Sequence, residues 1–127
     1  MRFARWVFLL AGASGVLLVA PMYLEDRFFR QSPPQINRPE FYYGFVGVTL
    51  VWQLAYLLVG TDPVRYRPLM LLTMLAKTSF AVALTALYFG GRDVAATWLG
   101  AAAMDATWVV LFFVAYLLTP TRPPGGA

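Results

Sequence analysis

The sequence contains no cysteine and no histidine. The first absence excludes disulfide frameworks, thiol catalysis, CxxC redox chemistry and zinc ribbons. The second removes the usual imidazole ligation of zinc, haem or chlorophyll, and every triad of the Ser-His-Asp type. Charge is scarce as well. Asp, Glu, Lys and Arg make up 13% of the 127 residues, against roughly 25% in an average soluble domain. Apolar residues supply 60%, and a soluble chain this short lacks the interior to hide them all. The bilayer is expected to take part of that surface.

Four long apolar runs carry this surplus, at about 6–23, 41–60, 68–90 and 94–118. Each reaches or approaches the ~20 residues that cross ~30 Å of hydrocarbon as a helix. Period-2 alternation is absent and Leu and Ala dominate, which argues against strands. The expectation is an all-α, antiparallel up-down four-helix transmembrane bundle forming a single domain. Arg2 and Arg5 ahead of an apolar run ending Leu18-Val19-Ala20 imitate a signal peptide. Pro21 stands where cleavage would fall, so the segment reads as an uncleaved first helix.

Four spans put both termini on one side. That side carries Arg2, Arg5, Arg65, Arg67 and Arg122, and the other carries Arg27, Arg30, Arg38 and Arg92. The positive-inside rule therefore favours cytoplasmic termini, by a margin small enough to leave dual topology open. The scattered arginines form no basic stripe, so the +4 net charge points to membrane anchoring, not to nucleic acid.

The outer loop, about 24–40, divides in two. Leu24–Arg30 has acids ahead of arginines and suits a short interfacial helix that dips Phe28 and Phe29 into the headgroups. Gln31–Pro39 holds three prolines and reads as a stiff strap or a simple tether. Asp62-Pro63 starts the second turn, with Pro68 in the first turn of helix three. Gly90-Gly91 permits a tight reversal, with Asp93 as N-cap of helix four, and the tail 123–127 reads as disordered.

Aromatic residues gather at both expected interfaces: Tyr23, Phe41, Tyr42, Tyr43, Tyr88 and Phe89 outside, and Trp6, Tyr56, Tyr66 and Tyr116 inside. Small residues offer close-packing faces: Ala11 and Gly15 on helix one, Gly44 and Gly47 on helix two, Ala96 and Gly100–Ala103 on helix four. These faces meet either one another or a partner.

Two ionisable residues stand deep inside spans, Lys77 on helix three and Asp105 on helix four. An unpaired charge there costs at least ~2.5–3.5 kcal/mol, so each calls for a partner. Counted from the reversal near residue 92, the two lie within about two residues of equal depth, or ~3 Å along the axes. Counting from the turn near residue 64 brings Gln53 into the same layer, with Thr49, Thr73, Thr78 and Thr107 within about one helical turn. Tyr42, Phe45, Thr49, Gln53 and Tyr56 mark one inward face, and Trp98, Ala101, Asp105, Trp108 and Phe112 another. Together they predict a polar core layer flanked by tryptophans. Trp52, Trp98, Trp108, Gly44, Gly47 and Gly100 are the expected interface or lipid contacts.

The layer has three readings: structural glue, a site for a polar headgroup or ligand, or a proton or ion relay. Enzymatic readings find little support. There are no paired intramembrane carboxylates and no DxxD or HxxxH metal pattern, and Gly12-Ala-Ser-Gly15 lies mid-span without a base.

Pro39-Glu-Phe-Tyr-Tyr-Gly-Phe-Val-Gly47, continuing through Trp52-Gln53, then Asp62–Met70 and Lys77-Thr-Ser-Phe80, resembles a family of small, uncharacterised bacterial membrane proteins with four spans. The resemblance covers helices two and three and their turn. It implies a bacterial inner-membrane location and brings no activity with it. Small multidrug transporters and fluoride channels share only size and weak charge bias. Helix one lacks the glutamate of the former, and no polar channel motif of the latter is present.

The sequence thus predicts a non-enzymatic accessory or scaffolding subunit, with no cofactor and no catalytic or metal site. Its partners would be membrane lipids and a larger membrane complex or a second copy. The alternative is a small transporter or hydrophobic-ligand binder that uses Gln53, Lys77 and Asp105.

Overall fold

The computed structural model of the protein describes residues 2–24, 38–92 and 96–121. Among these residues lie α1 (Arg2–Val19), α2 (Pro39–Thr61), α3 (Arg67–Phe89) and α4 (Thr97–Leu118), and no strand. A 3-10 turn, Ala20–Leu24, prolongs α1. All four helices are long and apolar enough to cross a membrane, the first counted through Leu24. Large apolar side chains such as Leu17, Val51, Leu75 and Val110 are exposed on each helix, an outer surface suited to lipid.

Prolines set several of these ends. The first helix begins at Arg2, ahead of the expected start, and leaves α geometry at Val19. Pro21 has no N–H to give and its ring crowds the preceding turn, so the chain tightens into 3-10. Pro39 opens α2 as its first residue, where a missing N–H costs nothing, and Glu40 complements the positive end of the helix. Pro68 occupies the first turn of α3 as expected. Between α3 and α4, Gly91 adopts φ 79° and lets Arg92 N donate to Leu87 O at 3.0 Å. Asp93, the tail, most of the interfacial segment and most of the proline strap lie outside the described residues.

Lipid tails are as apolar as leucine, so helices in a bilayer associate through close packing. Small residues provide it between α1 and α2. A Cβ at Gly12 would lie 2.6 Å from Leu57 Cγ, and one at Gly60 would lie 2.7 Å from Leu9 Cγ. One at Gly15 would overlap the side chain of Gln53. α3 and α4 form the second closely packed pair, and α1 meets α4 along a shorter seam. The seam between α2 and α3 is the shortest. Among the described residues nothing lies within 4 Å of a Cβ placed at Gly44 or Gly100, and Gly47 faces the Tyr23 hydroxyl.

The core sits at one end of the bundle. Ala4, Val7, Phe8, Ala11, Tyr56, Val59, Met70, Phe112 and Ala115 form a single buried cluster there. Phe8 and Phe112 stack at 4.3 Å between centroids, with Tyr56 5.3 Å from Phe112. Tyr56 thus belongs to the inward face of α2 and not to the interfacial aromatic belt. Arg67 closes this end: its Nε donates to Thr119 O at 2.8 Å and its guanidinium lies 3.8 Å over the Tyr116 ring.

Candidate functional site

Beyond that core the helices enclose a partly open cavity of about 280 Å³. Its shape follows from which residues share each inward face. On α2, Phe45, Thr49, Trp52, Gln53 and Tyr56 recur at helical spacing, and on α4 Trp98, Ala101, Asp105 and Trp108 do the same. Ala11, Gly15, Ala76 and Ala101 supply no bulk, so the aromatic side chains become walls around a space they do not fill.

Lys77 and Asp105 face this space. Lys77 Nζ donates to Asp105 Oδ1 at 2.8 Å, and the two side chains are only 9% and 15% exposed. The depth matching read from the sequence thus corresponds to a direct contact. The ammonium also lies 5.2 Å from the centroid of the Tyr56 ring, whose electron-rich face favours a cation. Pairing removes the net charge from a buried site, and removal of either partner would leave the other uncompensated.

Gln53 lines the same cavity and is buried, but its amide nitrogen donates to Thr49 O at 3.0 Å and not to either charge. Its side chain is seated where Gly15 leaves room. Thr49 also lines the cavity. Thr73 is buried outside the lining, and its hydroxyl donates to Met70 O at 2.6 Å. Thr107 likewise bonds back to Ala103 O, and both it and Thr78 are exposed. A hydroxyl in a helix has a backbone carbonyl three or four residues back within reach, so equal depth alone does not bring it into a polar layer.

Trp52, Trp98 and Trp108, expected both as flanks of the layer and as outward contacts, are half-buried walls of the cavity. Phe80 was missed by the sequence reading, although its position three residues after Lys77 puts it on the same face. It stacks on Phe45 at 5.5 Å and meets Trp98 edge-on at 6.5 Å. Ser14 was missed too; it lines the cavity while its hydroxyl bonds to Ala11 O. Among the described residues no three acidic side chains gather in a way that could hold a metal ion.

No family model, no curated protein and no solved structure matches the chain.

Proposed function

We propose that the protein is a non-enzymatic multi-pass membrane protein that holds an amphipathic, lipid-like molecule in the cavity between its helices. The observation that carries this reading is the cavity itself, with aromatic walls and one polar pair, Lys77 and Asp105. Ligand sites are typically concave and mostly apolar, with a few placed polar groups that fix orientation. Among the described residues the lining includes no carboxylate pair and no hydroxyl beside a free base, which supports binding over catalysis.

The proposed arrangement is antiparallel and up-down, in the bacterial inner membrane, with both termini cytoplasmic. It is supported by the approach of Leu9 to Gly60 and of Tyr23 to Gly47, and by the contacts of Lys77 with Asp105 and Arg67 with Thr119. The family resemblance over helices two and three and the small excess of arginine on the terminal side support the location and orientation.

Solvent extraction of the protein purified from its native membrane, followed by mass spectrometry, tests the binding reading. A stoichiometric small molecule is expected, and Ala101→Trp, which fills the cavity, should lose it. Gly44→Ala, which opens onto empty space, should keep it. An unchanged complement of molecules in Ala101→Trp would overturn the reading.

The accessory-subunit reading, the first from the sequence, becomes the second here. Gly44 and Gly100, against which no described residue packs, favour it, because small residues on an outer helix face let a partner helix come close. A complex of fixed stoichiometry in mild detergent would support it, and a lone monomer or homodimer would remove it.

A further inference from the structure

Among the described residues, Lys77 and Asp105 are the ones that bring formal charge to the cavity lining, one of each sign. Held 2.8 Å apart, they cancel. The pair is far from spent as a hydrogen-bonding group. An ammonium has three donors and a carboxylate about four acceptor sites, and the contact between them uses one of each. The site therefore combines no net charge with both donor and acceptor capacity.

Resting on the binding reading above, we propose that the cavity selects a molecule whose buried end is uncharged and hydrogen-bonding, a hydroxyl or carbonyl group on an apolar body. The Lys77–Asp105 pair enforces that choice. A hydroxyl can accept from Lys77 and donate to Asp105, and a carbonyl oxygen can accept from Lys77. The hydroxyl serves both members of the pair and the carbonyl serves Lys77, and neither adds a charge. A carboxylate or phosphate would compete with Asp105 for Lys77 and leave one negative charge without its partner, and an organic cation would do the reverse. Low polarity around the site makes either surplus charge costly. The aromatic walls, Trp52, Trp98 and Phe80 among them, accept a ring or a chain equally well, so they set the apolar body and not the sign of the head.

The test uses three dodecyl probes, each with a photoreactive diazirine on the chain: an alcohol, a carboxylate and a trimethylammonium. Each is added to the full-length protein in phosphatidylcholine vesicles, and labelled peptides are mapped after illumination. Labelling of cavity residues such as Trp52 and Trp98 is divided by labelling of the exposed Leu17 and Leu72, which corrects for partition into the bilayer.

The alcohol is expected to give a ratio at least about tenfold above either charged probe. Lys77→Met leaves Asp105 alone and should move the preference to the ammonium probe. Equal or stronger cavity labelling of wild type by a charged probe overturns the neutrality rule and leaves the binding reading standing. Cavity labelling no higher than that of the outer face for all three probes overturns both. The wild-type comparison decides the matter even if Lys77→Met does not fold.

Discussion

The two ends of this bundle are built from similar material and reach opposite results. At the end holding Phe8, Tyr56, Met70 and Phe112, aromatic and aliphatic side chains from all four helices meet and are almost wholly buried. At the other end, Phe45, Phe80 and Trp98 also touch, yet they enclose a cavity. The difference lies in which helices the large residues join. Phe8 on α1 stacks on Phe112 of α4, so one contact ties the two closely packed pairs together. At the open end the aromatic contacts run from Phe45 of α2 through Phe80 of α3 to Trp98 of α4, while α1 presents Ser14 and Gly15, too short to reach them. Stability and available space are therefore divided along the length of the molecule, and the Lys77–Asp105 pair sits where the two regimes meet.

The largest expected effect comes from opening the closed end. Phe112→Ala removes the ring that stacks on Phe8 and should cost about 3–5 kcal/mol in reversible unfolding from mixed micelles. A loss no larger than that for Phe80→Ala would mean that the two ends do not differ energetically.

Next comes the boundary between them. Asp105→Asn leaves Lys77 unpaired at bilayer depth and should cost about 2.5–3.5 kcal/mol. Lys77→Met should cost a similar amount, and combining Lys77→Met with Asp105→Asn should recover most of the loss, since neither charge is then stranded. If the single changes are additive in a double-mutant cycle, the two side chains are not coupled.

The smallest effects sharpen the comparison by making one change at each end. Gly12→Leu drives side-chain atoms into Leu57 and the backbone of Gln53, and should destabilise by about 1–3 kcal/mol. Ala101→Leu adds bulk to a wall of the cavity and should stay within about 0.5 kcal/mol of wild type. Thermal unfolding in the same lipid-detergent mixture reads both. Equal damage at the two positions would show that the cavity cannot accept added volume.

Much of this was legible in the sequence. Long apolar runs and scarce charge determine four helices long and apolar enough to cross a membrane, where the backbone must bond to itself. Two charges at matched depth either side of a tight reversal foretell the contact between Lys77 and Asp105, because an unpaired charge is so costly in hydrocarbon. Prolines and glycines mark several of the helix ends, because they alter the donors and torsions that a helix needs. The tertiary structure alone decided what lies between the helices. Helical periodicity says which residues share a face, but not how far that face stands from its neighbour. The same small-residue signal became a close contact at Gly15 and open space at Gly44 and Gly100. Likewise Trp52, Trp98 and Trp108 became walls of a cavity because Ala11, Gly15, Ala76 and Ala101 are too short to fill the space between them. Separation between helices is set by pairs of side chains far apart in the chain, and a linear pattern carries no record of those pairs.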